Sequence, residues 1–156
     1  MTDLYELTIE RVIDAPPAAV WQAWTDHKEE WFCPKPWRTE IVAQDLRAGG
    51  RSALVMLGPD GERNEMEGIF LEVVPGQRVV STDVVNHRFE PQRPFMIRIE
   101  RFEDLGDGRT RYTASARHWA REVMEEHREM GFEIGWGICA DQLAEVARRI
   151  AGTVDA

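Results

Sequence analysis

Seven segments of the chain have the pattern of β-strands, with β-branched and alternating apolar residues between turn residues. They are 4–13, 39–46, 51–57, 65–74, 78–84, 95–102 and 109–117. Glycine-rich turns separate several of them, such as Pro59-Asp60-Gly61 and Gly106-Asp107-Gly108. Connections this short join antiparallel neighbours, because a parallel crossover needs roughly a dozen residues or more. The pattern therefore predicts an antiparallel sheet.

A short helix is predicted after the first strand. Asp14 is a preferred cap residue, and Pro16 and Pro17 suit the first helical positions. Apolar residues then recur on one broad face, namely Val20, Trp21, Ala23 and Trp24. The segment continues into a loop at 31–37, which Pro34 and Pro36 keep out of regular structure.

The last apolar pattern has helical spacing from Trp119 to about Ala151 and predicts one long helix. The order β, α, six β, α predicts an α+β domain in which this C-terminal helix packs on a curved antiparallel sheet. Alternation in two strands predicts one buried and one solvated face, with the buried positions at Phe95-x-Ile97-x-Ile99 and Tyr112-x-Ala114-x-Ala116.

Length and charge indicate the number of domains and the kinds of partner that the protein can bind. The 156 residues predict a single domain over 1–156, and 19 basic against 28 acidic residues give a net charge of −9. This charge argues against nucleic acid or an anionic membrane as the main partner, since both attract a basic surface. No signal peptide or membrane-spanning run is present, so we expect a cytoplasmic protein.

Large rings and glycines are the first candidate functional features. Trp31 and Trp37 lie in the proline-interrupted loop, where they either cap the core or cover an apolar pocket. Gly131, Gly135 and Gly137 lie inside the predicted long helix, where each glycine costs about 1 kcal/mol relative to alanine. They allow either close packing of the helix or a void beneath it.

Titratable candidates are weaker. His118, Glu72 and Asp83 are the residues considered for acid or base chemistry, although charged side chains of this kind are more often solvated. His118 and Glu122 have a spacing that could hold a metal, but no established metal, nucleophile or phosphate-binding motif is present. Cys33 and Cys139 lie too far apart in sequence for a metal knuckle. We therefore predict no metal and no cofactor.

Several segments together resemble one known family, the bacterial proteins related to the activator of Hsp90 ATPase, within the START-like, Bet v 1-like superfamily. The segments are Ala15-Pro16-Pro17 with Val20-Trp21-x-Ala23-Trp24, Trp31 to Trp37, Asp45 to Arg51, Gly68 to Pro75, Ser81-Thr82-Asp83 and Met130-Gly131-Phe132-x-x-Gly135-Trp136. Phe32 and Cys33 depart from the tryptophan and glycine that the family usually carries in the loop.

The resemblance implies a helix-grip fold. In this fold a seven-stranded antiparallel sheet wraps around a long C-terminal helix, and two short helices close one end. It also implies an elongated cavity between sheet and helix, which in the wider superfamily holds lipids, sterols or polyketides and in some members catalyses cyclisation or hydrolysis. It implies no shared set of catalytic residues.

Three functions are consistent with these features. The first is a binding protein that holds an apolar or aromatic small molecule, with a lining formed by Trp24, Trp31, Trp37, Phe70, Phe95, Met130 and Trp136. The second is a co-chaperone-like module that acts on an Hsp90-type ATPase, and the third is a cyclase- or hydrolase-type enzyme that uses the same cavity. The protein is expected to be a monomer or a homodimer.

Overall fold

The computed structural model describes residues 4–154. The prediction that the N-terminus contains no signal peptide falls in part on residues 1–3, which lie outside the described residues. The elements in chain order are β1 (Tyr5–Ile13), α1 (Pro17–Asp26), α2 (Lys28–Trp31), β2 (Arg38–Gln44), β3 (Arg51–Leu57), β4 (Arg63–Val74), β5 (Arg78–Thr82), β6 (Ile97–Asp104), β7 (Thr110–His118), α3 (Arg121–Glu129) and α4 (Phe132–Val154). The predicted strands and first helix are present, with ends that differ by a few residues.

The seven strands form one antiparallel sheet in the order β1-β7-β6-β5-β4-β3-β2. Strands β2 to β7 pair with their neighbours in sequence, whereas β1 pairs with β7. Register shifts occur between Ile41 and Ala43 in β2 and between Phe70 and Glu72 in β4. Such bulges increase local twist and bending, which suits a sheet that curves around a helix. The predicted helix-grip arrangement is confirmed.

The core lies between the concave face of the sheet and the helices. Helix α1 begins at Pro17, directly after the extended Pro16, and buries Ala19, Val20, Ala23 and Trp24. Helix α4 packs against β1, α1 and α2. Side chains from these elements that are almost fully buried include Ile13, Val20, Leu143 and Ala147. None of the helices within residues 4–154 is long and apolar enough to cross a membrane.

The predicted single helix from Trp119 to Ala151 is wrong in one respect, because the structure divides it into α3 and α4. The division falls at Gly131, whose φ of +95° lies in the left-handed region that favours glycine. At the end of α3, the Met130 N–H donates to Glu126 O at 2.9 Å and the Gly131 N–H donates to Arg128 O at 3.0 Å. Gly131 thus ends one helix as a C-terminal glycine.

The other two glycines of this region have different roles. A Cβ atom added at Gly137 would lie 2.6 Å from Nη2 of Arg11, so this position accommodates a side chain from β1. A Cβ added at Gly135 would have no heavy atom within 4 Å. Gly137 therefore fits the close-packing interpretation, and Gly135 fits the interpretation of a void.

Substitution of the glycine at the helix break should destabilise the protein. Gly131→Ala places a Cβ on a left-handed residue, which we expect to lower the free energy of unfolding by about 1–2 kcal/mol. The matched control is Gly152→Ala near the end of α4, where an added Cβ meets nothing and alanine favours the helix. Urea unfolding followed by tryptophan fluorescence measures both. Equal stability of Gly131→Ala and the wild type would contradict this account of the break.

Candidate functional site

A cavity of about 710 Å³ lies between the concave face of the sheet and the helices. Strands β3 to β7 supply one wall, and α1, α2 and the region around the α3–α4 break supply the other. Exposed residues on its boundary, including Glu65, Arg93 and Met130, mark where it meets solvent. Gly135 lines the cavity, so its missing side chain contributes directly to the open space.

Most residues predicted to line a ligand cavity lie on this wall, namely Trp24, Trp31, Phe70, Phe95, Met130 and Trp136. Trp37 does not, which corrects that part of the prediction. It lies in a separate depression with Glu29, Lys35 and Arg38. A turn in which the Trp37 N–H donates to Pro34 O at 3.0 Å carries the chain away from the cavity before β2 begins.

The three residues considered for catalysis are dispersed. Glu72 is exposed on β4, outside the cavity, and forms an ion pair with Arg78, so a role inside the cavity is wrong for this residue. Asp83 is on the cavity wall, but its carboxylate accepts hydrogen bonds from the backbone N–H groups of Phe95 at 2.9 Å and Met96 at 3.2 Å. Asp83 therefore holds the loop before β6.

His118 is buried behind the cavity wall rather than on it. Its Nδ1–H donates to the carbonyl oxygen of Phe95 at 2.7 Å, and its Nε2 lies 2.9 Å from Nδ1 of His127. It does not form the predicted pair with Glu122, because His118 ends β7 whereas Glu122 belongs to α3. No group of three His, Cys, Asp or Glu side chains within residues 4–154 is arranged to hold a metal ion.

His127 is the histidine that faces the cavity. Burial, with smaller electrostatic effects of His118 and Arg98, lowers its pKa to about 4, so the ring is neutral at physiological pH. Nε2 of His118 and Nδ1 of His127 share one hydrogen bond, and Nδ1 of His118 has the Phe95 carbonyl oxygen as its acceptor. His127 therefore places an uncharged polar ring on the cavity wall.

A buried ion pair occupies the inner part of the cavity. Nε of Arg98 donates to Glu100 Oε1 at 2.7 Å, and the side chains are 13% and 2% exposed. The other oxygen, Oε2, accepts from Trp24 Nε1 at 2.5 Å and from the Tyr112 hydroxyl at 2.7 Å. Burial opposes ionisation, but the charges of Arg98 and Lys28 and these hydrogen bonds hold the pKa of Glu100 below its usual value. Glu100 is therefore a buried carboxylate.

Lys28 adds a second cation to this cluster. It is the first residue of α2 and only 6% exposed, and its Nζ lies 3.7 Å from the centre of the Trp24 ring. Burial lowers the pKa of Lys28 to about 7; the Glu100 charge opposes this effect and the Arg98 charge adds to it. The ammonium and the free amine are thus both populated near neutral pH.

Arg98 is held by aromatic rings as well as by its carboxylate partner. Its guanidinium carbon lies 4.3 Å from the centre of the Trp136 ring and 4.7 Å from that of Phe32. Cation–π contacts of this kind are stronger when they are desolvated. The guanidinium therefore has a defined position between α4, the loop after α2 and β6.

Four polar residues of the cavity wall were not predicted to line it, namely Lys28, Glu100, Tyr112 and His127. In β6, Ile99 is buried as predicted, but Arg98 and Glu100 line the cavity instead of Ile97 and Ile99. The strand register shows which face these residues occupy. Glu100 pairs with Ala114 and Arg98 with Ala116, and directly paired residues point to the same face. Ala114 and Ala116 were correctly predicted to be buried. Their partners Glu100 and Arg98 therefore had to lie on the same, buried face of the sheet.

The chain is similar to one described protein family and to several solved structures. The family described as "Activator of Hsp90 ATPase homolog 1-like protein" matches residues 14–148. Protein NE0264 of Nitrosomonas europaea is 34% identical, with a TM-score of 0.87 over 95% of this chain and 97% of that one. Protein Ms6760 of Mycobacterium smegmatis is 26% identical, with a TM-score of 0.76 over 93% and 95%. The comparison with curated proteins found no match.

Removal of the buried negative charge should destabilise the protein strongly. Glu100→Gln leaves Arg98 buried without a counter-ion, which we expect to cost about 3–5 kcal/mol of the free energy of unfolding. Glu103→Gln is the matched control on the same strand, because Glu103 is exposed and its partner Arg111 also pairs with Glu10. Chemical denaturation measures both variants. A Glu100→Gln protein as stable as the control would contradict the importance of the buried pair.

Proposed function

We propose that this chain, which belongs to the activator of Hsp90 ATPase homolog 1-like family, binds an apolar or aromatic small molecule in the cavity between its sheet and its C-terminal helices. The observation that carries the proposal is the cavity itself. Its volume of about 710 Å³ lies within the range of roughly 300–1,000 Å³ that is usual for small-molecule sites. Rings from three helical segments and from the sheet surround this space.

The lining is held in place before any ligand arrives. The ring centres of Trp24 and Trp31 are 6.2 Å apart, and those of Phe132 and Trp136 are 4.5 Å apart. The Trp31 Nε1–H also donates to the backbone oxygen of Ala23 at 3.2 Å. A preformed wall lowers the entropy cost of binding, since few side chains must be ordered by the ligand. The preformed lining therefore favours the binding of a ligand in this space.

Filling the cavity from the helix should weaken binding without harming the fold. Gly135→Leu adds a side chain where the cavity provides space, so we expect affinity for the uncharged dye N-phenylnaphthylamine to fall by at least about tenfold. Gly152→Leu makes the same change on the same helix, away from the cavity, and should leave affinity unchanged. Fluorescence titration measures the affinities. The proposal fails if the wild type does not bind the dye, or if Gly135→Leu binds it as tightly.

A second candidate function is an action on an Hsp90-type ATPase, in line with the family's description. The supporting observation is a row of exposed apolar side chains at the start of α4 and just before it. Met130 and Ile134 are each 74% exposed and Ile138 is 40% exposed, at intervals of four residues. Exposed apolar groups that lie close together are typical of protein contact surfaces.

A cytoplasmic location and the choice between monomer and homodimer stay predictions from the sequence.

This second function predicts a measurable effect on a chaperone. The ATPase rate of a purified bacterial Hsp90 should change when the wild-type protein is added, and Ile134→Ser should weaken that change by removing apolar contact area. Binding of N-phenylnaphthylamine by the variant serves as the control for a correctly folded cavity. An identical ATPase rate with and without the wild-type protein would exclude this partner.

A further inference from the structure

The polar groups at the inner end of the cavity contain more hydrogen-bond donors than acceptors. Both oxygens of Glu100 are occupied, one by Arg98 and the other by Trp24 and Tyr112. Within residues 4–154, no side-chain or backbone oxygen accepts a hydrogen bond from Nζ of Lys28 or from the terminal Nη atoms of Arg98. Two buried cationic groups therefore present unused donors to the cavity.

The charges of the cluster are also unequal. With Lys28 protonated, Lys28 and Arg98 carry two positive charges against the single negative charge of Glu100. Other carboxylates on the cavity wall already have partners. Glu67 forms an ion pair with Arg51 at 2.7 Å, Glu65 forms one with Arg63 at 3.2 Å, and Asp83 accepts from two backbone N–H groups. The region around Lys28 thus lacks one negative charge.

The two cations face the same part of the cavity. Nζ of Lys28 lies 5.9 Å from the centre of the Phe32 ring, and the guanidinium carbon of Arg98 lies 4.7 Å from it. Lys28 is also held against Trp24 and Arg98 against Trp136. Because aromatic rings define the position of each group, the unused donors form a site that exists before a ligand enters.

We propose that the ligand is a monocarboxylic acid with an apolar body, whose carboxylate accepts hydrogen bonds from Lys28 and Arg98. This inference rests on the proposed function of the cavity and adds the chemical class of the ligand. A carboxylate supplies one negative charge and several acceptor lone pairs, which balances the cluster. Charge-assisted hydrogen bonds of this type are roughly twice as strong as neutral ones, and the planar guanidinium suits a carboxylate. The apolar body then lies among the rings.

Affinity for the carboxylate should depend on pH through Lys28. Arg98 and Glu100 of β6 act on the charge of Lys28, and Tyr112 of β7 and Cys139 of α4 interact in turn with these two residues. Arg98 keeps its charge, and the lowered pKa of Glu100 keeps that carboxylate ionised. Burial raises the pKa of Tyr112 and brings that of Cys139 to about 12. Between pH 6 and pH 9, Lys28, with its pKa of about 7, is therefore the member of this group that changes charge.

The test compares carboxylates with uncharged amides of the same shape. Calorimetric titrations use naphthoate against naphthamide and decanoate against decanamide, each at pH 6 and pH 9. We expect the wild type to prefer the carboxylate by about tenfold or more at pH 6 and by less at pH 9, since the ammonium loses its proton in this range. Lys28→Met should lose most of the preference and its pH dependence. It should still bind N-phenylnaphthylamine, which shows that the cavity is intact.

The chain contains a natural control, because Lys35 is its only other lysine and is exposed outside the cavity. Lys35→Met should behave as the wild type does. The inference is overturned if the wild type binds the amides as tightly as the carboxylates in both pairs at pH 6, or if Lys28→Met keeps the full preference. Dye binding in such a case would leave the proposed function standing, whereas failure to bind the dye and all four compounds would overturn both.

Discussion

The buried Glu100 carboxylate is the group on which the interior of this protein depends. It is held by Arg98 of the same strand, by Trp24 of α1 and by Tyr112 of β7, and it lowers the cost of burying Lys28. An isolated charge in such a place would be several kcal/mol unfavourable. The hydrogen bonds of Glu100 therefore join β6 and β7 to α1, and its charge acts on Lys28 of α2.

The cavity persists because two features keep side chains from filling it. Gly131 turns the chain between α3 and α4, so the two helices need not continue along one axis across the opening. Gly135 then places no side chain toward the space. Unfilled volume in a protein interior forfeits dispersion contacts and lowers stability, since the lining atoms lack partners. Its presence beside a charged cluster with unused donors favours a ligand-binding role over imperfect packing.

Family membership indicates the architecture of this protein, whereas the side chains of the cavity determine its ligand. The similarity to the Nitrosomonas europaea protein spans nearly the whole of both chains, which supports a shared architecture. An architecture of this kind is compatible with many ligands, because the function depends on the side chains that line the site. The chemical class of the ligand therefore depends on Lys28, Arg98 and His127, which give the cavity two cationic groups and an uncharged imidazole.

Local rules were enough to predict the seven strands, their antiparallel pairing and α1, because turn chemistry and apolar periodicity act over a few residues. Most of the large apolar residues predicted to line a cavity do line it. The helix break at Gly131 was missed, because an apolar stripe continues through it while a single positive φ angle interrupts the helix. Only tertiary structure brought Lys28 over Trp24 and gave Arg98 a partner across the cavity in Trp136, since strand register and desolvation join residues far apart in sequence.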